Sequence, residues 1–283
     1  MMRKKKWLAG AAALAAAALI FCIWQNNDLT VSRSKVICER IPTEFDGFII
    51  AQISDLHNKN FGKQQGRLMS KLVETQPDII VITGDMIDSR RTDVEPALDF
   101  ARQAVKLAPV YYVSGNHEAR VREYEDLKMG LAEAGVVILE NQNVQITREG
   151  ESITLMGIDD PSFQEDYLFG DSESVARQAI DDLQNESEGY TILLSHRPEL
   201  FDLYVDTGMD LVFSGHAHGG QFRLPFIGGI VAPNQGFFPK FDEGRFTEEN
   251  TTMIVSRGVG NSIIPIRFNN RPEIVLVTLR NMK

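Results

Sequence analysis

Five apolar runs of the sequence each pass through Ser or Thr into a residue able to bind a metal: FIIAQISDLH, DIIVITGDM, VYYVSGNHE, TILLSHRP and LVFSGHAH. They deliver Asp55, His57, Asp85, Asn116, His117, His196, His216 and His218, and every histidine of the chain is in that set. The donors are nitrogen and oxygen without sulfur, which suits Mn, Fe or Zn and is too rich in imidazole for Mg or Ca. Four histidines, two carboxylates and an amide are too many ligands for one tetrahedral ion, whereas two divalent ions sharing a carboxylate use them all. Singly each residue has a bland reading: Asp85 after Gly84 and Asn116 after Gly115 resemble turn residues, and a lone His after a strand is usually a satisfied polar group. That reading also requires five separate turns to collect all the histidines by accident.

Continuously apolar runs of this length are expected of strands covered on both faces. They alternate with amphipathic stretches over Lys63 to Gln76, Val94 to Leu107 and Ser172 to Leu183, an α/β rhythm. In such sheets, polar groups gather where loops leave the carboxyl ends of the strands, so five strand ends converge on one rim. Around His216 and His218, Gly215, Gly219 and Gly220 permit the tight backbone that aims two imidazoles at neighbouring positions.

At 283 residues the chain suits one large domain, and no linker or repeat divides it. The formal net charge of −10 includes the basic cluster at the front, so no nucleic-acid-binding surface is expected, nor a polybasic one for anionic lipid. Cys22 and Cys38 are the only cysteines, which excludes a disulfide framework and a cysteine-rich zinc site. Residues 1–6 form a basic segment, and 7–24 an uncharged stretch bounded by Trp7 and Trp24. As a helix it spans about 27 Å, enough for a single-pass anchor. The positive-inside rule puts residues 1–6 in the cytoplasm and the rest outside the cell membrane. Because LIFCIW makes a poor new terminus, an uncleaved anchor is favoured over a removed signal peptide. Residues 25–46 read as linker and domain entry, and 47–283 as the catalytic domain.

D-x-H at Asp55, G-D at Gly84, G-N-H-E at Gly115, a lone His196 and G-H-x-H at Gly215, in this order, resemble the calcineurin-like metallophosphoesterase family. The match runs from about Gly47 to Leu279. The stretches HGGQFRLP, SRGVGNSIIPIRF and PEIVLVTL are further similar to a bacterial subgroup with an N-terminal membrane or export segment. The resemblance implies one metal on Asp55, His57, Asp85 and His218 and another on Asp85, Asn116, His196 and His216, with His117 the catalytic histidine outside both. It implies a four-layer α/β/β/α sandwich of two packed mixed β-sheets flanked by helices. The implied reaction is hydrolysis of phosphoesters, phosphodiesters favoured, by a metal-activated hydroxide with His117 as general acid. No long insertion lies between the motif blocks to cap the site, so lipid head groups, nucleotides and envelope-derived phosphodiesters all stand as substrates.

Two other classes compete. A metal-dependent amide or ester hydrolase could use similar donors, but the Asn116-His117 pair fits phosphoryl transfer better. A surface binding module with a structural metal is disfavoured by His117 and by donors left open to water, since structural sites are closed. Asp88 and Glu118 are candidates to orient His117, although acids in turns are usually solvated. Arg197, Arg223 and Arg257 could pair with phosphate, but read first as surface residues. Asp159 and Asp160, before Pro161, read as a turn.

Overall fold

Successive residues of each apolar run enter different cores. In the computed structural model, which describes residues 2–164, 172–184, 189–261 and 266–282, Ile50 and Val81 join one buried cluster while Ala51, Ile53, Ile80 and Ile82 join another. The strands in chain order are β1 (Thr30–Ile37), β2 (Ile49–Ile53), β3 (Ile79–Thr83), β4 (Val110–Val113), β5 (Val137–Ile138), β6 (Gln142–Arg148), β7 (Glu151–Gly157) and β8 (Tyr190–Leu194). They continue with β9 (Leu211–Ser214), the short β10 (Arg223–Leu224), β11 (Gly228–Gly229), β12 (Val231–Ala232) and β13 (Gly236–Phe237), then β14 (Gly244–Glu248), β15 (Thr251–Val255) and β16 (Glu273–Arg280). One mixed sheet has the order β1-β16-β2-β3-β4-β5 and the other β14-β15-β9-β8-β7-β6.

Helices α2 (Gly66–Val73), α3 (Glu95–Ala104) and α4 (Tyr124–Ala134) cover the outer face of the first sheet through Leu68, Leu72, Phe100, Leu127 and Leu131. Between the sheets lie Ile50, Val81 and Val277 of the first, against Leu155, Ile192 and Phe213 of the second. Helices α5 (Ser172–Gln184) and α6 (Phe201–Asp206) cover the far side through Ile180, Leu183 and Tyr204, packed on Met156, Leu193 and Val212. The expected α/β/β/α sandwich is therefore present. The central strands each serve two cores, so their runs are largely apolar instead of alternating.

Helix α1 (Met2–Asn27) carries a mean hydropathy of 2.1 over its apolar window and none of that window is buried, so by length and composition it can cross a membrane. Two sequence expectations need correction. Within residues 25–46, read as linker and domain entry, β1 is a full edge strand paired residue for residue with β16 from Thr30↔Glu273 to Ile37↔Arg280. The helix expected from Lys63 begins at Gly66, because Gln64 and Gln65 are left-handed. The buried Gln65 side chain accepts the Phe61 N–H at 2.7 Å and donates to the Lys59 and Pro96 carbonyls, bracing the loop that follows His57.

Candidate metal centre

β2, β3 and β4 run parallel side by side in one sheet, as do β8 and β9 in the other, so their carboxyl ends face one another. The Gln52 amide ties the sheets beneath the site, donating to Thr83 Oγ1 and the Ser214 carbonyl, both at 2.9 Å. Above it the chain turns sharply: Asp55, His57, Asp85, His216 and His218 all have positive φ, a conformation that costs a non-glycine residue on the order of 1–3 kcal/mol and is characteristic of functional sites. Gly84 and Gly115 let the β3 and β4 loops touch, since a Cβ on Gly84 would stand 2.7 Å from Gly115 Cα and 2.8 Å from His196 Nδ1.

Two groups of donor atoms result. Asp55, His57, Asp85 and His218 form one and Asp85, His196 and His216 the other, all buried, with the chosen atoms of each group within 4.8 Å of one another. In the first, His57 Nε2 faces His218 Nε2 at 3.2 Å, and in the second His216 Nδ1 faces His196 Nε2 at 3.2 Å. Two metal–nitrogen bonds of about 2.1 Å at a near-tetrahedral angle give such a separation. Asp85 Oδ2 lies between the groups, 3.2 Å from His196 Nε2 and 3.6 Å from His57 Nε2. Asn116 Oδ1 is buried without a hydrogen-bond partner, as an oxygen reserved for a cation would be. His196 Nδ1 pairs with the Thr83 carbonyl at 2.7 Å, which leaves Nε2 to the cluster. The residues present thus fit a pair of divalent ions.

The electrostatics agree. Burial keeps His57 neutral, lowering its pKa to about 4, and holds His216 and His218 well below the usual range. Burial raises Asp55 to about 6. It also opposes a charged His196, but the Asp85 and Asp55 carboxylates prevail and lift that ring to about 10. A field that calls a proton onto a buried imidazole is one that a cation would satisfy.

His117 stands outside both groups, its Nε2 4.0 Å from Asp85 Oδ2. Its Nδ1 accepts the Ser89 N–H at 3.0 Å and lies 3.9 Å from Asp88 Oδ1. Glu118 is not a solvated turn acid. It is fully buried, with Oε2 accepting the Asp85 and Gly115 N–H groups (2.9 and 2.8 Å) and Oε1 those of Met86 and Ile87 (2.7 and 3.2 Å). The carboxylate thereby pins the β3 loop to the β4 loop. Arg197, also read as a surface residue, is 1% exposed and forks onto Asp160 at 2.5 and 2.7 Å, with its charge beside His216. Asp160 does cap the turn at Pro161–Phe163 as expected. Arg223 and Arg257 are mostly buried and paired with Asp242, Glu243 and Glu273.

Fold and site together define a metallohydrolase built on two facing sheets. The calcineurin-like phosphoesterase family profile matches residues 48–220, and the chain belongs to that family as a metal-dependent phosphoesterase. It is 30% identical to the uncharacterized metallophosphoesterase YkuE of Bacillus subtilis, over 85% of this chain and 82% of the relative. Identity is 27% to the phosphodiesterase YaeI of Escherichia coli, covering 82% of each. A Danio rerio transmembrane protein with metallophosphoesterase domain is 29% identical over 86% of this chain and 55% of the relative. Among solved structures, TT1561 of Thermus thermophilus shares the fold at a TM-score of 0.50 and 12% identity, covering 75% of this chain and 90% of the other.

Proposed function

We propose that the protein is a membrane-anchored phosphohydrolase with a dinuclear centre, acting on phosphodiesters outside the cytoplasm. The observation that carries the dinuclear reading is Asp85, whose Oδ2 belongs to both donor groups. Asp55, His57, Asp85 and His218 would hold one ion and Asp85, Asn116, His196 and His216 the other. When bound, such a pair supplies Lewis acidity toward the phosphoryl group and lowers the pKa of water. Diester preference is supported by likeness to a relative named a phosphodiesterase. The extracytoplasmic side is supported by Arg3 to Lys6 standing ahead of the apolar stretch.

His117 is read as the proton donor to the leaving oxygen. With Nδ1 accepting from Ser89, Nε2 of the neutral ring carries the hydrogen toward the donor groups; burial lowers the ring's pKa, so the imidazolium needed for full transfer forms only as Nδ1 exchanges the Ser89 N–H for the Asp88 carboxylate 3.9 Å away. His117→Ala should keep its metal content and lose about 10² to 10⁴-fold on alkyl phosphodiesters but far less on esters of acidic phenols. Assays of both substrate types beside metal analysis test this. Loss of metal, or equal loss on both substrates, would falsify the acid role.

A further inference from the structure

The last turns of α1 are built into the folded domain. Gln25 is buried, the Arg271 guanidinium lies 5.5 Å over the Trp24 ring, and Asn26 takes the Lys59 ammonium on its carbonyl and the Arg267 N–H on its side chain. Phe21 meets Phe268 with ring centroids 5.8 Å apart. Phe21 is three residues inside the apolar stretch that ends at Trp24, about 4.5 Å along the helix. A ring of the catalytic domain therefore reaches below the level at which an interfacial tryptophan sits.

From Phe268, backbone hydrogen bonds lead into a run of short hairpins. The Arg223 N–H donates to the Phe268 carbonyl, the Ile230 N–H to Phe222 and the Phe238 N–H to Ile230, each at 2.9 Å. This segment leaves directly from the donor His218, and Asn270 fastens it there by donating to the His218 and Gln221 carbonyls. Along it Phe226 is 109% exposed, Phe237 77%, Phe238 65% and Ile227 59%. Every exposed phenylalanine among the described residues lies on this rim, whereas exposed apolar residues elsewhere on the domain, such as Val73 and Met129, stand singly. Exposed apolar side chains gathered on hairpins that are hydrogen-bonded to one another mark an interaction surface. Its continuity with α1 identifies the occupant as the bilayer that α1 is fitted to cross, and the acidic chain makes apolar insertion, not charge, the means of docking.

We propose that this rim lies in the membrane interface beside the anchor and holds the mouth of the metal centre at head-group level, so that the substrates are phosphoesters of lipid head groups. The substrate half rests on the phosphohydrolase reading above.

The test uses the full chain in phosphatidylcholine nanodiscs with brominated acyl chains. Both tryptophans lie in α1, so a Trp7→Phe, Trp24→Phe background allows one reporter, introduced by Phe226→Trp or, far from the rim, by Met129→Trp. Bromine should quench the emission of the first chain and not of the second. In parallel, Phe226→Ser with Phe237→Ser should lose at least about tenfold on phosphatidylglycerol or phosphatidic acid in the bilayer, with less than about twofold change on bis(4-nitrophenyl) phosphate. An unquenched Phe226→Trp chain overturns the interface and points to a protein as the occupant of the rim. Turnover of the soluble diester with none of either lipid overturns the substrate assignment, and so does equal loss on lipid and soluble ester. Metal-loaded protein that turns over no ester at all refutes the phosphohydrolase reading and with it the substrate half, while the quenching result still decides the interface.

Discussion

Glu118→Gln isolates the carboxylate that holds the two halves of the site together. Its two oxygens take four buried backbone N–H groups, two each. Whichever way a glutamine amide is turned, one edge becomes NH₂ and confronts two N–H donors that had an acceptor. Two buried N–H groups lose their acceptor at about 1–3 kcal/mol each, roughly 2–6 kcal/mol in all. For a domain of this size that corresponds to a fall in melting temperature on the order of 10 °C. The β3 and β4 loops carry Asp85 and Asn116, so metal affinity should fall with it. Melting of the purified full chain with and without added Mn²⁺, with metal content measured on the same samples, gives both quantities. A variant that melts within about 2 °C of wild type and retains its metals would refute the reasoning, because the N–H groups would then be satisfied without the carboxylate.

Asp85→Asn replaces the oxygen shared by both donor groups with a neutral amide, so both ions should weaken together; metal analysis showing full occupancy with near-normal turnover would rule out a bridging Asp85. Asp159, pushed up to about 6 by burial, with Ser114 pulling down and Glu140 pushing up, is favoured in its protonated form. Its contribution is present below about pH 4 and lost as pH rises through about 6, so Asp159→Asn should match wild type at low pH and be more stable above pH 6, by at most about 3 kcal/mol. Denaturant titrations of the two chains across that range check it, and a constant difference would exclude the titration. Protease added to intact cells should remove the catalytic domain, and protection until lysis would reverse the proposed topology.

The sandwich and the donor set were legible because they rest on the strongest signals in the chain. Strands such as Ile79–Thr83 are apolar up to their last residue since both faces are covered, and donors at the ends of such runs have few other uses. What escaped detection were charges that are buried. Glu118 and Arg197 look like surface residues until their partners are seen, and those partners are a set of backbone N–H groups and an aspartate 37 positions away. β1 escaped because TVSRSKVI mixes polar residues into an edge strand that only one neighbour covers. The small hairpins between Arg223 and Phe237 are too short to show a period, though the density of Phe and Gly there was a signal of turns with apolar tips.

β1, which follows the apolar helix α1, pairs among the described residues only with β16, and β16 in turn separates β1 from β2. The first sheet is therefore missing an interior strand until Glu273–Arg280 has been made. Thr30–Ile37 must wait for its partner while the more than two hundred residues between them are made. Pairings this distant in sequence form slowly and leave strand edges open meanwhile. Until β16 arrives, the edge of β2 that it will cover stays open to other pairings.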